Sequence, residues 1–168
     1  MDTWDDLAAL VCVECGGRCC IEAKPPLTRK RIETLQENGC TPDTVDPRRY
    51  KKLRTNGDGY CVMYHKHRCA IHRIKPESCI AGPFTFDVKN NTIEIYLKKE
   101  SICPLVRHLK ERSEVYERQY TLACANICTL VQHLPQDELQ EVLRIDEPET
   151  EKVAEIPLTG LIRHDNRN

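Results

Sequence analysis

The chain has 168 residues, with 25 Lys and Arg against 26 Asp and Glu, so its net charge is −1 with neutral histidines. That balance excludes a strongly basic nucleic-acid binder and an acidic solvating chain. Two Phe and one Trp stand beside eleven Cys, so sulfur chemistry is expected to supplement a lean apolar core.

The opening MDTWDDLAALVCVECGG has no Lys or Arg before Arg18. A secretory signal needs a positive start and a longer apolar run, so none is expected. Residues 2–11 predict a short helix capped by Asp2 or Thr3, with Trp4, Leu7, Ala8 and Val11 on one face. A cysteine-rich loop follows at 12–20. Residues 28–38 predict a helix with Thr28 as its N-cap, Ile32 and Leu35 inward and Gly39 as its stop. Residues 40–59, with Pro42, Pro47 and NGDG at 56–59, read as a loop with one helical turn near 46–53. Short strands are expected at 60–64 and 69–72, around a basic turn.

Residues 84–97 alternate apolar and polar around Asn90–Asn91, which predicts a β-hairpin, since Asn tolerates the positive φ of a tight turn. From Pro104 to Leu134 the period becomes 3.6, which predicts one long helix that Pro135 stops. A short helix is expected at 137–144. Residues 146–168 are polar, without a clear period, and read as a mobile tail. No stretch approaches ~18 apolar residues, so no membrane span is expected. The expected architecture is α+β. One domain at 1–145 holds a small cysteine-ligated metal core with short β-hairpins, a short N-terminal helix and a long C-terminal helix.

A chain without a leader is expected in the cytoplasm, where thiols stay reduced. Eleven is also an odd number, so a fully paired disulfide framework is excluded. Closely spaced cysteines there point to metal. The sharpest element is Cys12-x2-Cys15-Gly16-Gly17-Arg18-Cys19-Cys20. Two thiolates two residues apart reach one ion because the backbone between them curls around it. The glycines permit positive φ and bring amide N–H groups toward sulfur. A redox C-x2-C pair normally opens a helix, which Gly16–Gly17 disfavours. Cys61, Cys69, Cys79 and Cys103 follow as further candidates, the last at the start of the expected long helix, where the helix dipole favours a thiolate. A buried thiolate site needs counter-charge. Lys66, Arg68, Arg73 and Lys75 around Cys69, and Arg18 in the first motif, are candidates to supply it. His65, His67 and His72 lie nearby, and their spacing selects none of them as a ligand. Cys124 and Cys128 share a helix face and read as core residues, with additional metal ligation as the alternative. Cys40 has no assigned role.

These residues resemble the YkgJ-type cysteine cluster proteins, the CxxCxxCC family, a module named for chelation of zinc or iron. The resemblance runs from Cys12 to Cys103. It rests on Cys12–Cys15–Gly16–Gly17–Cys19–Cys20, then Gly59–Cys61–Val62, then Cys69–Ala70–Ile71–His72. Lys75–Pro76–Glu77–Ser78–Cys79, Pro83–Phe84 and Cys103–Pro104 complete it. It implies that Cys12, Cys15, Cys19, Cys20, Cys61, Cys69, Cys79 and Cys103 form the ligand set. The chain departs from the pattern by having three residues, not two, between Cys15 and the pair. It also has Lys75 and Ile80 where the family often has Arg.

Three functions are weighed from these residues. The first is a cytoplasmic protein holding an iron–sulfur cluster or zinc. Adjacent Cys19–Cys20 and the surplus over four thiols tilt that choice toward iron–sulfur. The second is a cluster-dependent enzyme acting on a protein substrate or in electron transfer; no catalytic motif is evident. The third is a zinc-stabilised module for nucleic acid or protein, through residues 65–75. The metal ion or cluster is the expected partner. A protein partner is left open, nucleic acid ranks low, and no membrane is expected.

Overall fold

A computed structural model describes residues 4–147 and 149–160. Helix and strand are mixed, as an α+β chain requires. Helix α1 (Trp4–Glu14) runs three residues past its expected end, and Ala8 and Val11 are its buried positions. The expected caps Asp2 and Thr3 lie outside the described residues. Helix α2 (Arg29–Glu37) starts where Thr28 accepts a hydrogen bond from the Arg31 amide at 3.1 Å. It ends before Gly39, whose φ is +87°. Both signals are local, and both hold because capping acts within one turn.

The loop from 40 to 59 does not contain the expected turn of helix at 46–53. A 3₁₀ turn lies earlier, at Pro42–Thr44, and two-residue strands β1 (Val45–Asp46) and β2 (Lys52–Leu53) pair antiparallel across that segment. The basic hairpin is shorter than expected. Strands β3 (Tyr64–His65) and β4 (Arg68–Cys69) pair, and Lys66 and His67 at positive φ form the turn. Two central residues at positive φ match the right-handed strand twist. Cys79 sits on a short helix, α3 (Glu77–Ala81).

The predicted hairpin is present as β5 (Phe84–Lys89) and β6 (Thr92–Lys98), with Asn90 and Asn91 at φ +49° and +60°. Phe84, Phe86, Ile93, Ile95 and Leu97 face the main core. The expected continuous helix from 104 to 134 is two helices, α4 (Leu105–Lys110) and α5 (Ser113–His133), separated by an extended Arg112. Lys110 to Glu114 are all polar, so one turn of helix has no apolar anchor. The period nevertheless runs across the break, because Leu109 and Tyr116 are seven residues, about two turns, apart. Ala123, Ile127, Leu130 and Val131 of α5, with Val106 and Leu109 of α4, cover the sheet. Helix α6 (Gln136–Val142) adds Leu139.

The expected mobile tail at 146–168 needs correction. Strand β7 (Thr150–Pro157) joins β6 antiparallel as the sheet's third strand. A bulge opposite Ile95 and Tyr96 leaves Val153 between the pairs Ile95–Ala154 and Tyr96–Lys152. Val153, Ala154 and Ile156 all pack on the core, so the alternation that marks a strand is interrupted. Pro148 and residues 161–168 of that stretch lie outside the described residues. Among the described residues, no helix is long and apolar enough to cross a membrane.

A second core gathers Leu27, Leu35, Leu53, Cys61, Met63 and Ile71, and a third joins Ala8 and Val11 of α1 to Leu105. Polar ties fix α3 between these cores. Arg31 donates to Glu77 at 3.0 Å and to the Ile74 carbonyl at 3.1 Å. Buried Gln119 donates from α5 to the Ile80 and Gly82 carbonyls at 3.0 and 2.8 Å.

Candidate metal centre

The first cysteine loop folds back on the end of α1. The Cys15 amide donates to the Val11 carbonyl at 2.9 Å and the Gly17 amide to the Cys12 carbonyl at 3.1 Å. Gly16 and Gly17 stand at φ +71° and +66°, a left-handed pair that turns the chain into the 3₁₀ turn Arg18–Cys20. Space also dictates Gly17: a Cβ there would lie 2.6 Å from the Tyr64 ring. The loop is then tied to the next segment, since the Cys61 amide donates to the Cys20 carbonyl at 2.8 Å. Cys69 pairs with Tyr64 across the β3–β4 hairpin. Cys79 rides on α3. Cys103, just before α4, packs with Cys12 against Ala8, Val11 and Leu105.

All eleven cysteines are free thiols. The eight singled out in the sequence interact electrostatically as one group. Cys12 feels Cys19, Cys15 and Cys103; Cys79 feels Cys19, Cys61 and Cys69; Cys20 feels Cys19, Cys79 and Cys69. Cys61, Cys69 and Cys103 each feel Cys19. The adjacent pair Cys19–Cys20 thus lies within electrostatic reach of thiols from several segments. Cys19 and Cys79 both reach solvent.

Burial dominates the other thiols. It pushes Cys12 and Cys79 up to about 12, and it raises Cys61, Cys69 and Cys103. Cys19 goes the other way on balance, down to about 6, because the Cys20 thiol donates to it and Lys98 and Lys75 lie close. Cys20 is raised by that same donation. Three sulfurs share a local device. Backbone N–H groups of Met63, Ile71 and Leu105 donate to Cys61, Cys69 and Cys103, each from two residues further along. Such donors favour the thiolate. At Cys103 burial still outweighs them, and α4 is only six residues long, so the expected dipole gain does not lower that thiol.

The counter-charges differ from the expected set. Lys75 acts on Cys12, Cys19, Cys69 and Cys79. Lys98, at the end of β6, acts on Cys19 and Cys103. Lys66, Arg68 and Arg73 are exposed. Arg18 is exposed as well, and its guanidinium donates to the Ser101 carbonyl at 3.4 Å. No local sequence signal marks Lys98, because only the fold brings that strand end to these thiols. Cys124 and Cys128 pack on the main core and Cys40 on the second.

Among the described residues, no group of three or more Cys, His, Asp or Glu side chains is placed so that it could hold a metal ion. The donor set itself, soft and rich in thiols, suits zinc or iron. Residues 11–138 match a family model, CxxCxxCC, described as "Putative zinc- or iron-chelating domain". No curated protein and no solved structure matches the chain.

Proposed function

The chain belongs to the CxxCxxCC family, and from that premise we propose that it is a cytoplasmic protein holding iron, as an iron–sulfur cluster, through clustered cysteines. The ligands we assign are Cys12, Cys15, Cys19, Cys20, Cys61, Cys69, Cys79 and Cys103. The observation that supports this reading is that thiols from distant segments lie within electrostatic reach of the Cys19–Cys20 pair in a chain matching a zinc- or iron-chelating family. Eight thiols exceed the four of a structural zinc site, and adjacent Cys19 and Cys20 suit a polynuclear centre. Bound there, the cluster supplies one-electron chemistry.

The chain's own residues supply the rest. The Cys19 thiolate offers the first negative donor. The N–H groups of Met63, Ile71 and Leu105 hold three sulfurs in orientation, and Lys75 and Lys98 offset charge. Because ligands come from separate segments, loading stabilises the fold.

The test is anaerobic purification followed by metal and acid-labile sulfide analysis. Brown protein with iron and sulfide in comparable amounts is the expected result. Colourless protein with stoichiometric zinc overturns iron and retains chelation. Protein that binds neither metal overturns the whole reading.

A further inference from the structure

The β3–β4 hairpin carries a feature that the ligand set does not use. The hydroxyl of Tyr64 is buried and has no hydrogen-bond partner among the described residues, although the residue as a whole is only half-buried. A buried donor left unbonded is costly, so native proteins seldom tolerate one without a use. The ring is held firmly. It stacks on Tyr60 at 4.8 Å and 9°, and His67 meets it edge-on at 6.4 Å. Its phenol end lies against Gly17, where even one methyl group has no room. That contact places the hydroxyl against the first cysteine loop. After Tyr60, its electrostatic neighbours are the thiols of Cys20, Cys15 and Cys12.

We propose that the Tyr64 hydroxyl is a positioning donor for the metal centre, giving its hydrogen bond to a thiolate sulfur of the Cys12–Cys20 loop. The inference rests on the chelation reading above. A donor at sulfur stabilises the metal-bound thiolate over the free thiol and lowers the energy of the sulfur lone pair. Gly17 serves the same end, because its missing side chain lets the phenol reach the loop. Phenylalanine at 64 keeps the ring, its stacking and its fit against Gly17, and removes only the donor.

The test titrates the metal-free full chain with Co²⁺ under anaerobic conditions, for wild type and Tyr64→Phe. The variant should bind Co²⁺ about tenfold more weakly, the lower end of what such outer partners contribute. Its sulfur-to-cobalt charge-transfer band should move to longer wavelength. Metal-free Tyr64→Phe should melt no lower than metal-free wild type, because it loses an unbonded buried hydroxyl. Equal affinity and an unmoved band overturn the proposal. So does equal destabilisation of metal-free and loaded protein, which makes Tyr64 a packing residue. Wild type without any thiolate–cobalt band overturns this role for Tyr64, whereas the chelation reading stands or falls on the iron, zinc and sulfide content above.

Discussion

Gly16 and Gly17 provide an internal control for how the first cysteine loop is built. Both have positive φ, +71° and +66°. A Cβ at Gly16 meets nothing within 4 Å, whereas one at Gly17 lies 2.6 Å from two ring carbons of Tyr64 and 2.8 Å from its oxygen. Gly16→Ala therefore carries only the left-handed backbone penalty, about 1 kcal/mol. Gly17→Ala carries that penalty plus displacement of a stacked ring, about 1–3 kcal/mol more. At about 2–4 °C per kcal/mol for a chain of this size, the first variant should melt ~3 °C lower and the second ~6–12 °C lower. Urea unfolding of the metal-free protein measures both without interference from metal. The double variant Gly17→Ala/Tyr64→Ala isolates the contact, and Gly17→Ala should cost less in that background by about 1–2 kcal/mol. Equal costs at the two glycines, or a Gly17 cost indifferent to Tyr64, would refute the close approach of ring and loop.

Three further outcomes are expected. In metal-free protein at pH 7, Cys19 should attack an aromatic disulfide reagent faster than Cys12 or Cys79. The larger thiolate fraction of a lowered thiol, against two that burial raises, is only partly offset by its weaker nucleophilicity. Peptide mapping checks this, and the rate should fall as pH drops below about 6. Gln119→Leu should destabilise the fold by about 2–4 kcal/mol, because it strands the Ile80 and Gly82 carbonyls; urea midpoints decide it. Glu94 is held down to about 2, from 4.5, by the Tyr96 hydroxyl and then Lys152. Its folded value is depressed, so its stabilisation is complete above about 4.5 and disappears as pH falls through about 2. Metal-free Glu94→Gln should therefore lose less stability than wild type between those values.

The parts of the fold legible in the sequence are those whose cause is local. Thr28 caps α2 within one turn, and Asn90–Asn91 makes its own hairpin. The break at Arg112 is hidden because Leu109 and Tyr116 keep helical phase across it. Strand β7 is hidden because its bulge puts Val153 and Ala154 side by side on the core. The candidate site divides in the same way. A cysteine advertises its chemistry by its type, so thiol ligands are readable from the sequence, and the resemblance proposes which eight of the eleven they are. Lys98 and Tyr64 matter through what the fold brings beside them, and a lysine ending a strand or a tyrosine beginning a hairpin carries no such mark. The basic turn at 65–68 has the composition of a counter-charge, but its cations are exposed, and from residues 65–75 it is Lys75 that acts on the thiols.

These charges bear on how the proposed centre would fill. Burial and mutual repulsion hold Cys12, Cys61, Cys69, Cys79 and Cys103 protonated at neutral pH. Two lysines cannot compensate eight thiolates, so the sulfurs cannot ionise together until a cation arrives. If those thiols are the ligands, ligation and proton release would be one event, and affinity should rise steeply with pH. Cys19 escapes the restraint, because Cys20 donates to it and both lysines lie close. Its value is lowered where those five are raised, and it is also solvent-accessible. In the proposed centre, Cys19 would offer an ion its first thiolate, and the ion's charge would favour deprotonation of the other sulfurs. On this electrostatic ordering, Cys19→Ser should slow metal capture more than Cys103→Ser, even if the two variants reach similar occupancy at equilibrium. Stopped-flow mixing with Co²⁺ distinguishes them, and equal capture rates would show that entry does not begin at Cys19.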